Sequence, residues 1–136
     1  MKLYYKLKNK LIYDIDSLRA RCQRFKRGYS YGDVWDMDFW FMRTVKPMLI
    51  HLREHHCGIP IEFENDESAW EFVLTEMIDC LTLMDENNAY AHHGFGDWEE
   101  RRQMTKEDYE NIYRTMENNK NRFFELFSKY FYNLWD

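Results

Sequence analysis

No run of apolar residues in this chain approaches the 18 or more that a membrane span requires. Charges interrupt residues 1–27 throughout, so the apolar core of a secretory signal is missing too, and cytoplasmic residence is the expectation. Cysteine is scarce: Cys22, Cys57 and Cys80 are odd in number, widely spaced and without a Cys-x-x-Cys pair. That argues for reduced thiols rather than a disulfide framework. Cys22 and Cys80 fall on apolar helical faces and read as small buried hydrophobes. No segment alternates polar and apolar residues as a half-buried strand does. There is no internal repeat or low-complexity tract. A Gly-x-Ser-x-Gly elbow, a phosphate-binding loop and a Cys–His pattern are all absent. Catalysis could rest only on Asp33, Asp36 and Asp38 near Ser30, and aspartates at a helix start are ordinarily caps. The chain therefore reads as a non-enzyme with no catalytic residue, cofactor or metal assigned.

What is present suits a packed core. The 136 residues are enough for one domain, and a content of 45% hydrophobic and 18% aromatic residues is too apolar for a disordered chain. The net charge of -5 conceals an asymmetry: residues 1–27 hold nine Lys/Arg and two Asp, a balance of +7, which leaves -12 on the other 109. The basic segment either meets phosphate or lies against the acidic remainder of its own fold. The intramolecular pairing is the preferred reading.

Helical spacing dominates the order of residues. Leu3, Leu7, Leu11, Ile15, Leu18, Cys22 and Phe25 follow one another by threes and fours, which predicts a helix over 3–26 with one apolar stripe and basic flanks. It would run roughly 36 Å at 1.5 Å per residue. Such a helix can lie on a membrane surface, but a bundle seam is the expected use of its stripe. Gly28 ends it. Ser30 can cap the next helix, with Asp33 in its first turn. Val34, Met37, Phe41, Val45, Met48 and Leu52 mark a second helix over 34–56. Trp35, Phe39, Trp40, Leu49 and Ile50 make it apolar on several sides, as in a central helix or one facing another chain. Pro47 predicts a kink near 43–47, and Gly58 and Pro60 a stop. A linker over 59–66 leads to a third helix, 66–88, capped by Asn65 or Asp66, with the stripe Trp70, Val73, Met77, Leu81 and Met84. Residues 88–104 read as a long loop, a place where function often resides. A fourth helix over 105–134 carries Tyr109, Ile112, Met116, Phe123, Phe127, Tyr130 and Leu134, with a bend or break expected at 118–121. The expected architecture is all-α: a single domain, 1–136, of four long helices as an up-and-down bundle or a helical homo-oligomer.

One combination of residues is specific. It comprises Arg27-Gly28-Tyr29-Ser30, Asp33-Val34-Trp35, Asp38, Trp40, Pro47 and Leu49, then His56, Gly58 and Pro60, then Trp70 and Met77. It closes with Lys129-Tyr130-Phe131 and Leu134-Trp135-Asp136. This pattern resembles a family of small tailed-bacteriophage proteins and covers nearly the whole chain. Cys57 departs from it, standing inside what is more typically a His-Gly pairing. The resemblance implies a phage origin and action in the cytoplasm of an infected host. It brings no catalytic or binding residues.

Four candidate chemistries follow from the residues. Arg24, Arg27, Tyr29, Ser30 and Trp35 could bind a phosphorylated, nucleotide-like molecule, with paired arginine donors, helix-start amides and aromatic faces. The plainer alternative has Arg27 paired with Asp33, Asp36 or Asp38 and Trp35 and Trp40 in the core. His51 and His55 share a helical face as metal pairs do, with Glu54, His56, Cys57, His92 and His93 as further donors, but the order is not that of a zincin. Catalysis by the aspartates is the third. DNA binding by the basic helix is the fourth and is disfavoured by the acidic remainder. The expected function is non-catalytic binding in the infected host, sequestering a phosphorylated small molecule as an anti-defence protein would. The alternative is a protein–protein inhibitor or adaptor, or a minor virion protein, using exposed aromatic helix faces to hold a host protein.

Overall fold

The computed structural model describes the backbone of residues 2–63 and 66–135 and the side chains of residues 14–63 and 66–135. Leu3, Leu7 and Leu11 of the first stripe, Asn65 as a cap, and Asp136 lie outside the described side chains. Among the described residues every regular element is helical, so the all-α expectation holds. No helix among them is long and apolar enough to cross a membrane. The sequence pattern suggested one domain; the contacts group the chain into two compact units, Met1–Phe41 and Met42–Asp136.

The first unit holds α1 (Lys2–Arg27) and α2 (Tyr31–Trp35). Arg24, Lys26 and Arg27 sit in the last turn of α1, at the negative end of its dipole. Gly28 then takes φ +80°, a left-handed conformation open to glycine, and its N–H donates to the Arg24 carbonyl at 2.8 Å. The described part of the α1 stripe is not a seam within this unit. Ile15, Leu18 and Cys22 are exposed, and Phe25 is 93% exposed. The expectation of a buried Cys22 is thereby corrected. Periodicity specifies an apolar face but not what covers it, and α2, with five residues, is far shorter than the face of α1.

The expected helix over 34–56 is divided. Asp36 leaves helical geometry (φ -121°, ψ 57°) and closes α2, and its carbonyl accepts from Trp40 N at 2.9 Å as α3 (Met37–His55) begins. The break therefore falls at Asp36, while α3 continues through Pro47. Nor is α3 buried all round: it buries Leu49 and Leu52 and leaves Met37, Phe39 and Met48 exposed.

The core of the second unit lies between α4 (Glu67–Met84) and α7 (Lys106–Lys129). Trp70, Leu74, Met77 and Leu81 of α4 meet Ile112, Phe123 and Leu126 of α7, all buried. Trp70, Phe63 and Tyr130 form an aromatic cluster with ring centroids 5.3–6.1 Å apart. Arg122 forks onto Glu76 at 2.7 and 3.1 Å, tying α7 to α4, and the two carboxylates of Glu76 and Glu125 raise its pKa.

Local capping explains the other departures. The helix expected to reach residue 88 stops at Met84 because Asp85 turns to extended geometry and caps α5 (Glu86–His92), accepting from Asn88 N at 3.1 Å. The expected loop over 88–104 is helical over about half its length, at 88–92 and 98–101. Gly94 (φ +86°) reverses the chain, and Asp97 and Glu100 form a reciprocal capping box on α6 (Trp98–Arg101). Thr105 and Asp108 make a second box on α7. No break occurs at 118–121: Asn119 Nδ2 donates to the Thr115 carbonyl at 2.8 Å, which lets an unfavourable residue stay in the helix.

Candidate functional site

The corner between α1 and α2 carries most of the predicted ligand residues. Reversal at Gly28 brings the first turn of α2 to the last turn of α1. Asp33 then receives the Arg24 guanidinium as a fork, Nε to Oδ2 at 2.9 Å and Nη2 to Oδ1 at 2.6 Å. Asp33 Oδ2 also accepts from Ser30 N at 2.7 Å, and Ser30 Oγ accepts from Asp33 N at 3.4 Å, completing a capping box. Tyr31 N donates to Gln23 Oε1 at 3.0 Å. The Arg24 fork, followed by the Ser30 amide, holds the Asp33 carboxyl well below the usual carboxylate range, and Asp33 in return raises the Arg24 pKa.

The helix-start amides and Arg24 are thus committed to the fold. It is Arg24, not Arg27, that takes Asp33. Arg27 stands over two tyrosines, 4.8 Å from the Tyr29 ring centroid and 4.1 Å from that of Tyr31, and lowers the Tyr31 phenol pKa by hydrogen bonding to it. A shallow groove of about 400 Å³ here is lined by Asp16, Arg19, Gln23, Arg24, Ser30 and Tyr31. Arg24 and Ser30 therefore line it; Arg27 and Tyr29 flank the corner; Trp35, 88% exposed at the end of α2, lines neither groove nor core.

The second unit holds an apolar groove of about 590 Å³ between α3 and the C-terminal segment. Pro47, Met48 and Leu52 form one wall, and Phe127, Phe131 and Trp135 the other, with His51 at the edge. Trp135, Phe131 and Met48 are exposed although large and apolar. The aromatic ending of the sequence signalled this surface.

The predicted histidine pair does not converge on a common point. His51 and His55 share a face, but their rings stack at 4.3 Å and His55 Nδ1 lies 3.0 Å from the His51 carbonyl. His93 Nε2 lies 2.7 Å from Thr115 Oγ1, joining the end of α5 to α7. The structure instead groups His56 with Glu67 and Glu71, a set the sequence reading missed. The available signal was the i, i+4 spacing of the glutamates at the start of a helix that follows His56 by a short connection.

Comparison with protein-family models, with curated proteins and with solved structures gives no match for this chain. The class that fold and sites define is an all-α protein of two helical units, with a closed arginine–aspartate corner in one and an apolar groove in the other.

Proposed function

We propose that the protein is a non-catalytic helical binding protein that works through protein–protein contact, in the infected bacterial cytoplasm that the phage resemblance implies. The observation that carries this is the apolar groove bounded by Met48, Phe131 and Trp135. Its lining offers dispersion and hydrophobic burial and little acid–base chemistry, as the core of a protein interface does. The occupant we propose is the α1 helix of a second copy. On that helix Ile15, Leu18 and Phe25 form an exposed apolar stripe beside basic residues. The second unit has ten Lys/Arg against 19 Asp/Glu, a net -9, while the first has a net +4. Apolar face and charge sign are both complementary.

Sedimentation across a concentration series tests this. Full-length protein should sediment as a homo-oligomer. Leu18→Asp on α1 and Met48→Asp in the groove should each shift it towards monomer without loss of helical circular dichroism, because both positions are exposed in the single chain. A wild-type monomer at tens of micromolar, or variants that oligomerise unchanged, would overturn the proposal.

One observation favours the sequestration reading as a second: the Arg27 guanidinium rests on two tyrosine faces rather than on a carboxylate. A phosphate could approach it there. Calorimetry with nucleotides should then give heat that Arg27→Ala removes; no heat with the wild type rules this reading out.

A further inference from the structure

We infer that His56, Glu67 and Glu71 form a binding site for a divalent first-row transition cation. His56 follows the last turn of α3, and its side chain is only 5% exposed. Its Nδ1 lies 3.2 Å from the Arg53 carbonyl oxygen. A carbonyl has no proton to give, so Nδ1 carries the hydrogen in that contact, and Nε2 is the ring nitrogen left to meet a ligand. That Nε2 is buried and has no hydrogen-bond partner. An orphaned buried nitrogen of this kind calls for a reason.

The reason lies in what it faces. Glu67 and Glu71 are one turn apart at the start of α4, and a ligand atom from each lies within 4.8 Å of the others and of the imidazole nitrogen. Glu67 Oε1 is 3.5 Å from Nε2 without making a hydrogen bond. Ligand atoms around a tetrahedral zinc at ordinary bond lengths stand roughly 3.3–3.5 Å apart. The His56–Glu67 spacing already matches that edge, and Glu71 is exposed and can swing in. One neutral nitrogen and two carboxylates balance a dication and leave a fourth position for water. A backbone carbonyl on the remote ring nitrogen is the usual support of a metal-binding histidine. Arg53 adds to that support: its Nη1 donates to Thr75 Oγ1 at 3.3 Å, holding the end of α3 to α4. Bound there, the ion would clasp the end of α3 to the first turns of α4. It would raise thermal stability, because it binds the folded chain and not the unfolded one.

The test uses full-length protein and Zn²⁺ alone, by calorimetry against a competing chelator, with Co²⁺ absorption reporting the donor set. One equivalent should bind and raise the melting temperature. His56→Gln and Glu71→Gln should each weaken binding by about tenfold or more, and His51→Ala with His55→Ala should leave it within about twofold. Should His56→Gln fail to fold, Glu71→Gln decides, because that carboxylate is exposed. No saturable binding, binding indifferent to Glu71→Gln, or binding abolished by the His51/His55 double variant would overturn the inference.

Discussion

Leu74 and Phe72 stand two residues apart on α4, on nearly opposite faces, and substituting each by alanine separates burial from size. Leu74 is wholly buried, and Phe72, the larger side chain, is 68% exposed. Leu74→Ala removes buried methyl and methylene groups from the α4–α7 core and leaves a cavity that the surrounding core only partly fills. The expected cost is about 3 kcal/mol, within the usual range of roughly 2–5. For a unit of 95 residues, the length of Met42–Asp136, each kcal/mol moves the melting temperature by about 4–8 °C, so a fall of roughly 12–24 °C is expected. Phe72→Ala gives up little burial and gains helix propensity, so its effect should stay within about 0.5 kcal/mol. Thermal unfolding followed by circular dichroism, with matched urea titrations, measures both. If Phe72→Ala proved as costly as Leu74→Ala, or Leu74→Ala cost under about 1 kcal/mol, the packing described for the second unit would be wrong.

Two further outcomes follow from titration and reactivity. The depressed Asp33 carboxyl stabilises the corner above its unfolded pKa of roughly 3.9 and loses that contribution as pH falls through the lower folded value. Amide protection at Ser30 should therefore hold at pH 5 and decline only below about pH 4, and Asp33→Asn should abolish the dependence; a carboxyl titrating at the ordinary value would contradict the Arg24 fork. Cys22 and Cys57 are exposed, whereas Cys80 is buried and desolvation raises its pKa. A thiol reagent should modify Cys22 and Cys57 promptly and Cys80 only on unfolding; early modification of Cys80 would count against the core.

The helices were legible wherever a stripe met its partner in the same chain. Trp70, Val73, Met77 and Leu81 were expected on one face of a helix, and all four are buried. Ile112, Phe123 and Tyr130 behave likewise. The stripe of α1 shows the limit, since Ile15, Leu18 and Phe25 obey the same spacing and lie exposed. Helix ends were missed where an aspartate looked like part of a polar face but closed one helix, as Asp36 does, or capped the next, as Asp85 and Asp97 do. At the α1 corner, the sequence put Arg24, Arg27, Ser30 and Asp33 close together, but which arginine takes Asp33 depends on the turn at Gly28. His56 was named as a possible donor, but its grouping with Glu67 and Glu71 was missed because they are 11 and 15 positions away, beyond helical periodicity.

The self-capped helices between α4 and α7 bear on how fast this protein can fold. The Glu76 and Arg122 side chains that join the two long helices are 46 positions apart. Each cap in the intervening chain acts over three residues: Asp85 on Asn88, Asp97 on Glu100, Thr105 on Asp108. Such short-range structure can form before the long helices dock. Halving the floppy chain left to close the loop lowers the entropic cost by about 0.6 kcal/mol, or nearly threefold in rate. The aspartates that cut the helices short thus shorten the search by which α4 finds α7.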